Sequence, residues 1–189
     1  IPKLEGWNRT RAILALGRFS VKPALEWLRA SAGGKTPDLA SAVSLAQMAR
    51  EEATTALLST IREHGPSNPD LYLLLAECPG AEAFNILMDA IPKTSVGGRM
   101  NIARALSHFT LDQAATALRE LWKQVEGWVG AQALASLEEL GHPQAAPVVA
   151  QLYRGAPHRF LKLQAVKAAG GLRCEESIAF CKAALRDPD

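Results

Sequence analysis

The sequence predicts an all-α protein, a right-handed α-solenoid of about six helix pairs. Alanine and leucine dominate, only 6% of the residues are aromatic, and extended runs that alternate β-branched with polar residues are missing. Helical runs of about ten to fifteen residues alternate with short breaks rich in Gly, Pro, Asn and Asp. The third observation is an internal period near thirty residues, which two helices and their turns fill.

Five segments align with one another, and a weaker sixth lies between the second and the third. In chain order they are TRAILALGRFSVKPALEWL from Thr10, LASAVSLAQMAREEATTALLSTI from Leu39, the weaker LYLLLAECPGAEAFNILMDAI from Leu71, NIARALSHFTLDQAATALREL from Asn101, AQALASLEELGHPQAAPVVAQL from Ala131 and LQAVKAAGGLRCEESIAFCKAAL from Leu163. The last apolar residue of each second helix recurs at intervals of 33, 30, 30, 31 and 33 residues, at Leu28, Ile61, Ile91, Leu121, Leu152 and Leu185. Each apolar face is then completed by the neighbouring pair.

Turn residues fall where the helix pairs require them. The breaks between pairs cover 31–38, 65–70 and 92–98, and Thr36, Asn68 or Asp70 would cap the helix that follows. Inner turns are predicted at Gly17, at Pro79-Gly80 and at Gly141-His142-Pro143.

The first break contains Gly34-Lys35-Thr36, which matches the end of a phosphate-binding loop. A Walker loop needs a glycine five residues before Gly34, where this chain has Arg29, and it needs a preceding strand. A helix is predicted there instead. We therefore interpret Gly33-Gly34 as a helix terminator followed by a solvated linker.

Composition narrows the function classes. The 21 Lys and Arg against 19 Asp and Glu give a formal net charge of +2, too small for a general nucleic-acid binder. The three cysteines form no CxxC pair, which argues against a disulfide framework or a zinc knuckle. No apolar run approaches the roughly eighteen residues of a membrane span, and no signal peptide is visible. We expect a cytoplasmic protein with no membrane contact.

We expect one repeat domain over 1–189. The last predicted helix keeps Ile178, Phe180, Cys181 and Leu185 with little sign of a polar outer cap, although terminal repeats normally need one. Continuation into further repeats, a second domain or a homotypic contact therefore stays open.

The segment Leu140–Leu152, LGHPQAAPVVAQL, echoed by Leu16–Leu28, LGRFSVKPALEWL, resembles the HEAT-like repeat of the phycobilin-lyase type. The resemblance is one of fold and covers most of the chain. It implies first helices on a convex face and second helices on a concave face where partners bind. Members of such families are adaptors, bilin lyases, metal hydroxylases or alkylpurine DNA glycosylases, so the fold leaves the function open. Tetratricopeptide and armadillo arrays fit the period less well.

The metal-hydroxylase branch requires residues that the chain lacks. Iron in the hydroxylase branch is held by His-Glu pairs, and none occurs here; the four histidines, His64, His108, His142 and His158, lie in or beside predicted turns. Cys181 occupies a position that is apolar in every copy and is expected in the core. Cys174, beside Arg173, is a weak candidate for a functional thiol. We predict no catalytic residue, no metal and no cofactor.

Two alternatives remain. A DNA glycosylase of this fold would use aromatic residues and a carboxylate, and Trp27, Trp122 and Asp89 could supply them. Its cleft would carry Glu26, Asp89 and Glu120, whereas phosphate contacts require a basic lining. A phycobilin-lyase-like chromophore chaperone needs a pocket for an extended tetrapyrrole, which the sequence neither shows nor excludes.

The second helices, placed side by side, present an exposed ladder that runs from acidic to basic. It comprises Glu26, Ser59, Asp89 and Arg119, then Trp27, Glu120 and Gln151, with Lys123 and Arg154 one turn on. A polar strip with occasional large aromatics suits protein or peptide recognition. The predicted protein-binding residues on these helices are Glu26, Trp27, Asp89, Arg119, Trp122, Lys123 and Arg154.

A second predicted contact is a basic face near the C-terminus. No acidic residue occurs between Glu139 and Glu175, and Arg159, Lys162 and Lys167 share one face of a helix at about 100° per residue. This asymmetry predicts a partner with an acidic segment, with Arg159 and Lys162 as contacts; a merely solvated face is the alternative. The sequence thus predicts a non-enzymatic scaffold or adaptor.

Overall fold

The computed structural model describes residues 6–19, 21–34, 38–48, 51–122, 127–142, 144–156 and 158–187. Every regular element in these ranges is helical, and none of them contains a strand. The predicted all-α class is therefore confirmed. No helix within these ranges is both long and apolar enough to cross a bilayer.

The chain divides into two compact units, Ile1–Lys93 and Thr94–Asp189. The helices of the first are α1 Gly6–Leu16, α2 Lys22–Ala32, α3 Leu39–Ala46, α4 Glu51–His64, a 3₁₀ helix Pro69–Glu77 and α5 Ala81–Ala90. Those of the second are α6 Val96–Ala105, a 3₁₀ turn Leu106–His108, α7 Leu111–Trp122, α8 Gly127–Leu140, α9 Ala145–Arg154, α10 Arg159–Leu172 and α11 Glu175–Ala184. Each unit thus holds three of the predicted helix pairs.

In the first unit, first helices pack on first helices and second helices on second helices. Helix α1 contacts α3, and α3 contacts the 3₁₀ helix; α2 contacts α4, and α4 contacts α5. The apolar residues between these two layers are fully buried, among them Leu28, Leu45, Leu57, Ile61, Leu75 and Leu87. Their burial supplies the main stabilisation of the unit.

The second unit repeats this arrangement. Helix α6 contacts α8 and α8 contacts α10, while α7 contacts α9 and α9 contacts α11. Its buried residues include Ile102, Leu118, Leu121, Leu134, Leu137, Val149 and Ala165. In both units, neighbouring helix pairs therefore bury apolar residues against each other.

A buried serine joins neighbouring first helices in each unit. In the first unit, the Ser44 hydroxyl in α3 donates to the Ile13 carbonyl oxygen in α1 at 2.9 Å. In the second, the Ser136 hydroxyl in α8 donates to the Ala103 carbonyl oxygen in α6 at 2.6 Å. Both serines are buried, and each hydroxyl also lies near a carbonyl oxygen of its own helix, Ser44 at 2.8 Å from that of Ala40 and Ser136 at 3.2 Å from that of Gln132. The two carbonyl oxygens around each hydroxyl together offset its desolvation.

Glycines stand at two predicted inner turns for different reasons. Gly17, just after α1, is buried, and a Cβ there would lie 2.7 Å from the Ser44 carbonyl oxygen. Only glycine lets α1 end that close to α3. Gly141, just after α8, has φ of +64°, a left-handed conformation that glycine adopts without strain. Pro143 lies outside the described residues.

The cap of α3 is Asp38, which the sequence analysis did not select. One carboxylate oxygen accepts from the Ala40 N–H at 3.0 Å, and the other pairs with the Arg9 guanidinium at 2.8 Å. Thr36 lies outside the described residues. Asn68 precedes the 3₁₀ helix without a side-chain cap bond, and Asp70 lies inside that helix.

The break after α2 agrees with the interpretation of Gly33-Gly34 as a terminator. Helix α2 ends at Ala32, and the Gly33 N–H donates to the Arg29 carbonyl at 3.0 Å. A helix rather than a strand therefore precedes Gly34. Lys35 lies outside the described residues.

The first helix of the third pair is 3₁₀ rather than α-helical. Pro69 begins it, and Pro79 follows it at the inner turn, so only nine residues are available between the breaks. Tyr72 from this helix is 2% exposed and packs over Gly65, where an added Cβ would lie 2.8 Å from the tyrosine ring.

Candidate protein-binding surfaces

A groove of about 420 Å³ lies between the second helices α2 and α4 of the first unit. Small side chains contribute much of its lining, with charged residues beside them: Ala30, Gly33, Ala56, Ser59 and Thr60, and Glu26, Arg29 and Glu63. The predicted contact Glu26 is exposed, with its nearest cation, Lys22 Nζ, 3.9 Å away one turn earlier. Its carboxylate is available to a partner, because an exposed pair at this distance is weak.

The other predicted contacts of the first unit lie apart from that groove. Trp27 is partly buried, and Asp89 is exposed in α5. Asp89 lines a separate hollow of about 160 Å³ with Arg62 and Lys93. The Arg62 guanidinium already pairs with Glu82 at 3.0 Å. Glu26 and Asp89 therefore belong to two different surfaces.

In the second unit, Arg119 and Arg154 are both exposed. One Arg119 guanidinium nitrogen lies 3.5 Å from the Gln151 side-chain oxygen, the outer limit of a hydrogen bond, and so connects α7 with α9. Arg154 ends α9 and lines a hollow of about 180 Å³ together with Tyr153. The side chain of Trp122 and the whole of Lys123 lie outside the described residues.

Lys162, predicted as a partner contact, is engaged within the protein. Its ammonium lies 3.3 Å from the Asp187 carboxylate and 5.6 Å from the centroid of the Tyr153 ring. The Tyr153 hydroxyl donates to the same carboxylate oxygen at 2.6 Å. The Lys162 side chain is only 20% exposed. Arg159, by contrast, is exposed, so the two residues of the predicted basic face have different environments.

The three cysteines lie in different surroundings. Burial raises the pKa of the Cys78 thiol to about 11, and Glu77 and Glu82 add to the shift. Cys174 precedes α11 and shares a capping box with Ser177. Cys181 is partly exposed instead of buried in the core, because no helix in the described ranges packs on the outer side of α11.

Potential metal ligands are dispersed. Within the described ranges, no three side chains of His, Cys, Asp or Glu come together as a group that could hold a metal ion. His108, His142 and His158 are exposed and His64 is partly buried, each in or beside a turn as expected.

The residues considered for a glycosylase site fall in different units. Trp27 and Asp89 are in the first unit and Trp122 is in the second. Trp27 is partly buried, and the side chain of Trp122 lies outside the described residues.

Sequence reasoning missed Trp128. Its side chain is 70% exposed in α8 and meets the ring of Phe160 edge-on, with the centroids 5.2 Å apart. A signal for this exposure was present, because the apolar stripe of α8 runs through Val129, Ala133 and Leu137 at four-residue spacing and leaves Trp128 outside it.

The chain matches no protein-family model, and no curated protein sequence is significantly similar to it. The candidate surfaces are therefore argued from their geometry and chemistry.

Proposed function

We propose that this protein is a non-enzymatic scaffold, an α-solenoid of HEAT-like helix pairs that binds a protein partner along its second helices. Layered packing within each unit supports the repeat interpretation, since first helices contact first helices and second helices contact second helices. Partner recognition then uses the surface of the second-helix layer, where the exposed predicted contacts are found.

The observation that carries the proposal is the groove between α2 and α4. The small residues Ala30, Gly33 and Ala56 leave room in the groove. Glu26 and Glu63 contribute two negative charges to its lining and Arg29 one positive charge. An extended or helical peptide fits such a groove, because backbone and small side chains approach closely while charged side chains at the edges fix orientation.

The second unit contributes charge of the opposite sign. Arg119 and Arg154 are exposed on α7 and α9, and neither forms an ion pair within the described ranges. Arginines of this kind are frequent anchors in protein interfaces, since one guanidinium donates several hydrogen bonds in a plane. The partner is expected to present basic groups to the first unit and acidic groups to the second.

The test is to recover a partner by affinity capture with the full chain and then to measure its affinity for charge-reversal variants. Glu26→Lys and Arg154→Glu each reverse one charge on the second helices, and we expect each to weaken binding about tenfold, roughly 1.4 kcal/mol. Glu77→Lys in the 3₁₀ helix and Arg104→Glu in α6 are matched controls, because both residues are exposed on first helices.

Three results would contradict the proposal. Equal losses of affinity in the second-helix variants and in their controls would show that the partner responds to the net charge of the protein and not to the second-helix surface. A coloured complex with added bilin would favour the chromophore chaperone. DNA binding that weakens steeply with added salt would favour the glycosylase alternative.

A further inference from the structure

The outer side of the last helix pair carries an apolar groove of about 300 Å³ between α10 and α11. Its lining combines aliphatic side chains with two cations and includes Val166, Ile178, Cys181, Leu185, Arg173 and Lys182. Ile178 is 54% exposed and Leu185 is 86% exposed. In the preceding pair the corresponding side is covered by the last pair itself, since α10 contacts both α8 and α9 and α11 contacts α9.

Charge around this groove is positive. Arg173 and Lys182 are exposed, neither forms an ion pair within the described ranges, and no carboxylate contributes to the lining. Glu175 and Glu176 in the first turn of α11 are exposed outside the lining. Lys162, by contrast, is paired with Asp187. The free cations of this helix pair thus include the two that flank the apolar groove.

The backbone at Arg173 adds a second observation. Arg173 follows α10 in a left-handed conformation, with φ of 52° and ψ of 37°, and no other non-glycine residue in the described ranges has positive φ. The position after α8, 32 residues earlier, is the left-handed Gly141. Glycine suits this position and arginine carries a conformational cost there. The arginine nevertheless places a guanidinium at the groove.

We infer that the groove between α10 and α11 binds an amphipathic helix of a partner protein. The apolar face of that helix would pack against Ile178, Cys181 and Leu185, and acidic residues beside that face would pair with Arg173 and Lys182. Helices lay an apolar face with anchors at i, i+3 or i+4 and i+7 into grooves of this kind. Carboxylates beside that stripe would meet unpaired cations. This docking surface is additional to the surfaces proposed on α2, α4, α7 and α9, and the test of one does not decide the other.

The probe is a synthetic eighteen-residue helical peptide with leucines at i, i+4 and i+7 flanked by glutamates, and the same peptide with lysines at the glutamate positions is the comparison. Fluorescence anisotropy with the full chain is expected to show that the acidic peptide binds at least about tenfold more tightly, with an affinity that falls as salt rises. Amide chemical-shift changes are expected to concentrate in 166–185.

Four variants with two controls sharpen the test. Lys182→Glu and Ile178→Ser should each weaken binding of the acidic peptide about tenfold, and Arg173→Gly about threefold. Arg173→Gly should keep the melting temperature or raise it, because glycine tolerates the left-handed backbone, so lost binding would not reflect lost folding. Cys181→Ser should weaken binding about fourfold, which lies outside the range expected of the controls. Arg104→Glu and the exposed Leu163→Ser lie outside the lining and should leave affinity within twofold.

The inference is overturned by several outcomes. These are equal affinity for the acidic and basic peptides, no binding at about 1 mM peptide, or chemical-shift changes centred outside 166–185. Light scattering that shows a dimer dissociated by Ile178→Ser would instead assign the groove to a second copy of the chain.

Discussion

Helices α9 and α11 are second helices of consecutive pairs, but apolar residues that are buried in α9 have exposed counterparts in and just after α11. Val149 and Leu152 in α9 are 0% and 5% exposed, whereas Ile178 and Leu185 in and just after α11 are 54% and 86% exposed. Helix α9 contacts α7, α10 and α11; α11 contacts α9 and α10. The difference shows that the apolar residues of a second helix become buried only when a following helix pair packs against that helix.

The largest effect expected from this comparison is on stability. Leu152→Ala should lower the free energy of unfolding by about 2–4 kcal/mol, because it removes buried methyl groups and leaves a cavity. Leu185→Ala should change it by less than about 0.5 kcal/mol, since that side chain is already in solvent. Urea unfolding of both variants measures the difference, and similar losses would mean that α11 is covered in solution.

Glycines extend the comparison to close packing. Gly17→Ala should cost about 1–3 kcal/mol, because a methyl group there would lie 2.7 Å from the Ser44 carbonyl oxygen. Gly170→Ala, on the open side of α10, meets nothing within 4 Å and should stabilise by about 0.5–1 kcal/mol through helix propensity. Thermal melts of the two variants should therefore shift in opposite directions. A shift of the same sign in both would contradict the described packing.

The serine contacts make a smaller contribution. Ser136→Ala removes the buried hydroxyl that bonds to Ala103 and should cost about 1 kcal/mol. Ser44→Ala should cost a similar amount in the first unit, where the hydroxyl bonds to Ile13. Ser59→Ala is the control, because Ser59 is exposed and should change the free energy of unfolding by less than about 0.5 kcal/mol. No loss from either buried variant would show that these contacts do not join the first helices.

The last comparison concerns the reactivity of the thiols and leaves the fold unchanged. Cys78 should react with iodoacetamide at pH 8 about tenfold or more slowly than Cys181, because its raised pKa keeps it protonated. Peptide mass spectrometry after timed labelling measures both sites in one sample. Faster labelling of Cys78 would contradict the described burial.

The same shift has a pH consequence with a definite sign. The neutral Cys78 thiol is favoured in the folded state, so its stabilising contribution is complete below the ordinary value of 9.0 and is lost as pH rises towards about 11. The free energy of unfolding of Cys78→Ala, measured with urea at several pH values, should fall less than that of the unmodified protein between pH 9.0 and about 11.

Helices and turns were predictable because their signals are local. The turn at Gly141 follows from a left-handed backbone conformation that few other residues adopt. The end of α2 follows from the low helix propensity of the two glycines after it, since Gly33 has an ordinary φ of −92°. The exposure of Glu26, Asp89, Arg119 and Arg154 follows from helical geometry, since each lies off the apolar stripe of its helix. Their role as partner contacts stays a prediction.

Contacts between distant segments were not predictable in this way. Lys162 looked like a free cation, because Asp187, its partner, is 25 residues away and outside the acid-free interval. Cys181 looked like a core residue, because its burial depends on a following helix pair that its own pattern does not reveal. The 3₁₀ form of Pro69–Glu77 was not predicted, and its length does not explain it, because α3 is α-helical with only eight residues.

The serine in α8 that bonds to the backbone of α6 has a consequence for how such a protein can grow or shrink during evolution. A helix pair added by duplication would bring its own serine, which bonds to the backbone of the preceding first helix as Ser136 bonds to Ala103. The preceding helix would therefore need no substitution to accept it. Deletion has a different effect. Removing α10 and α11 would expose to solvent the side chains of α8 and α9 that now pack against them.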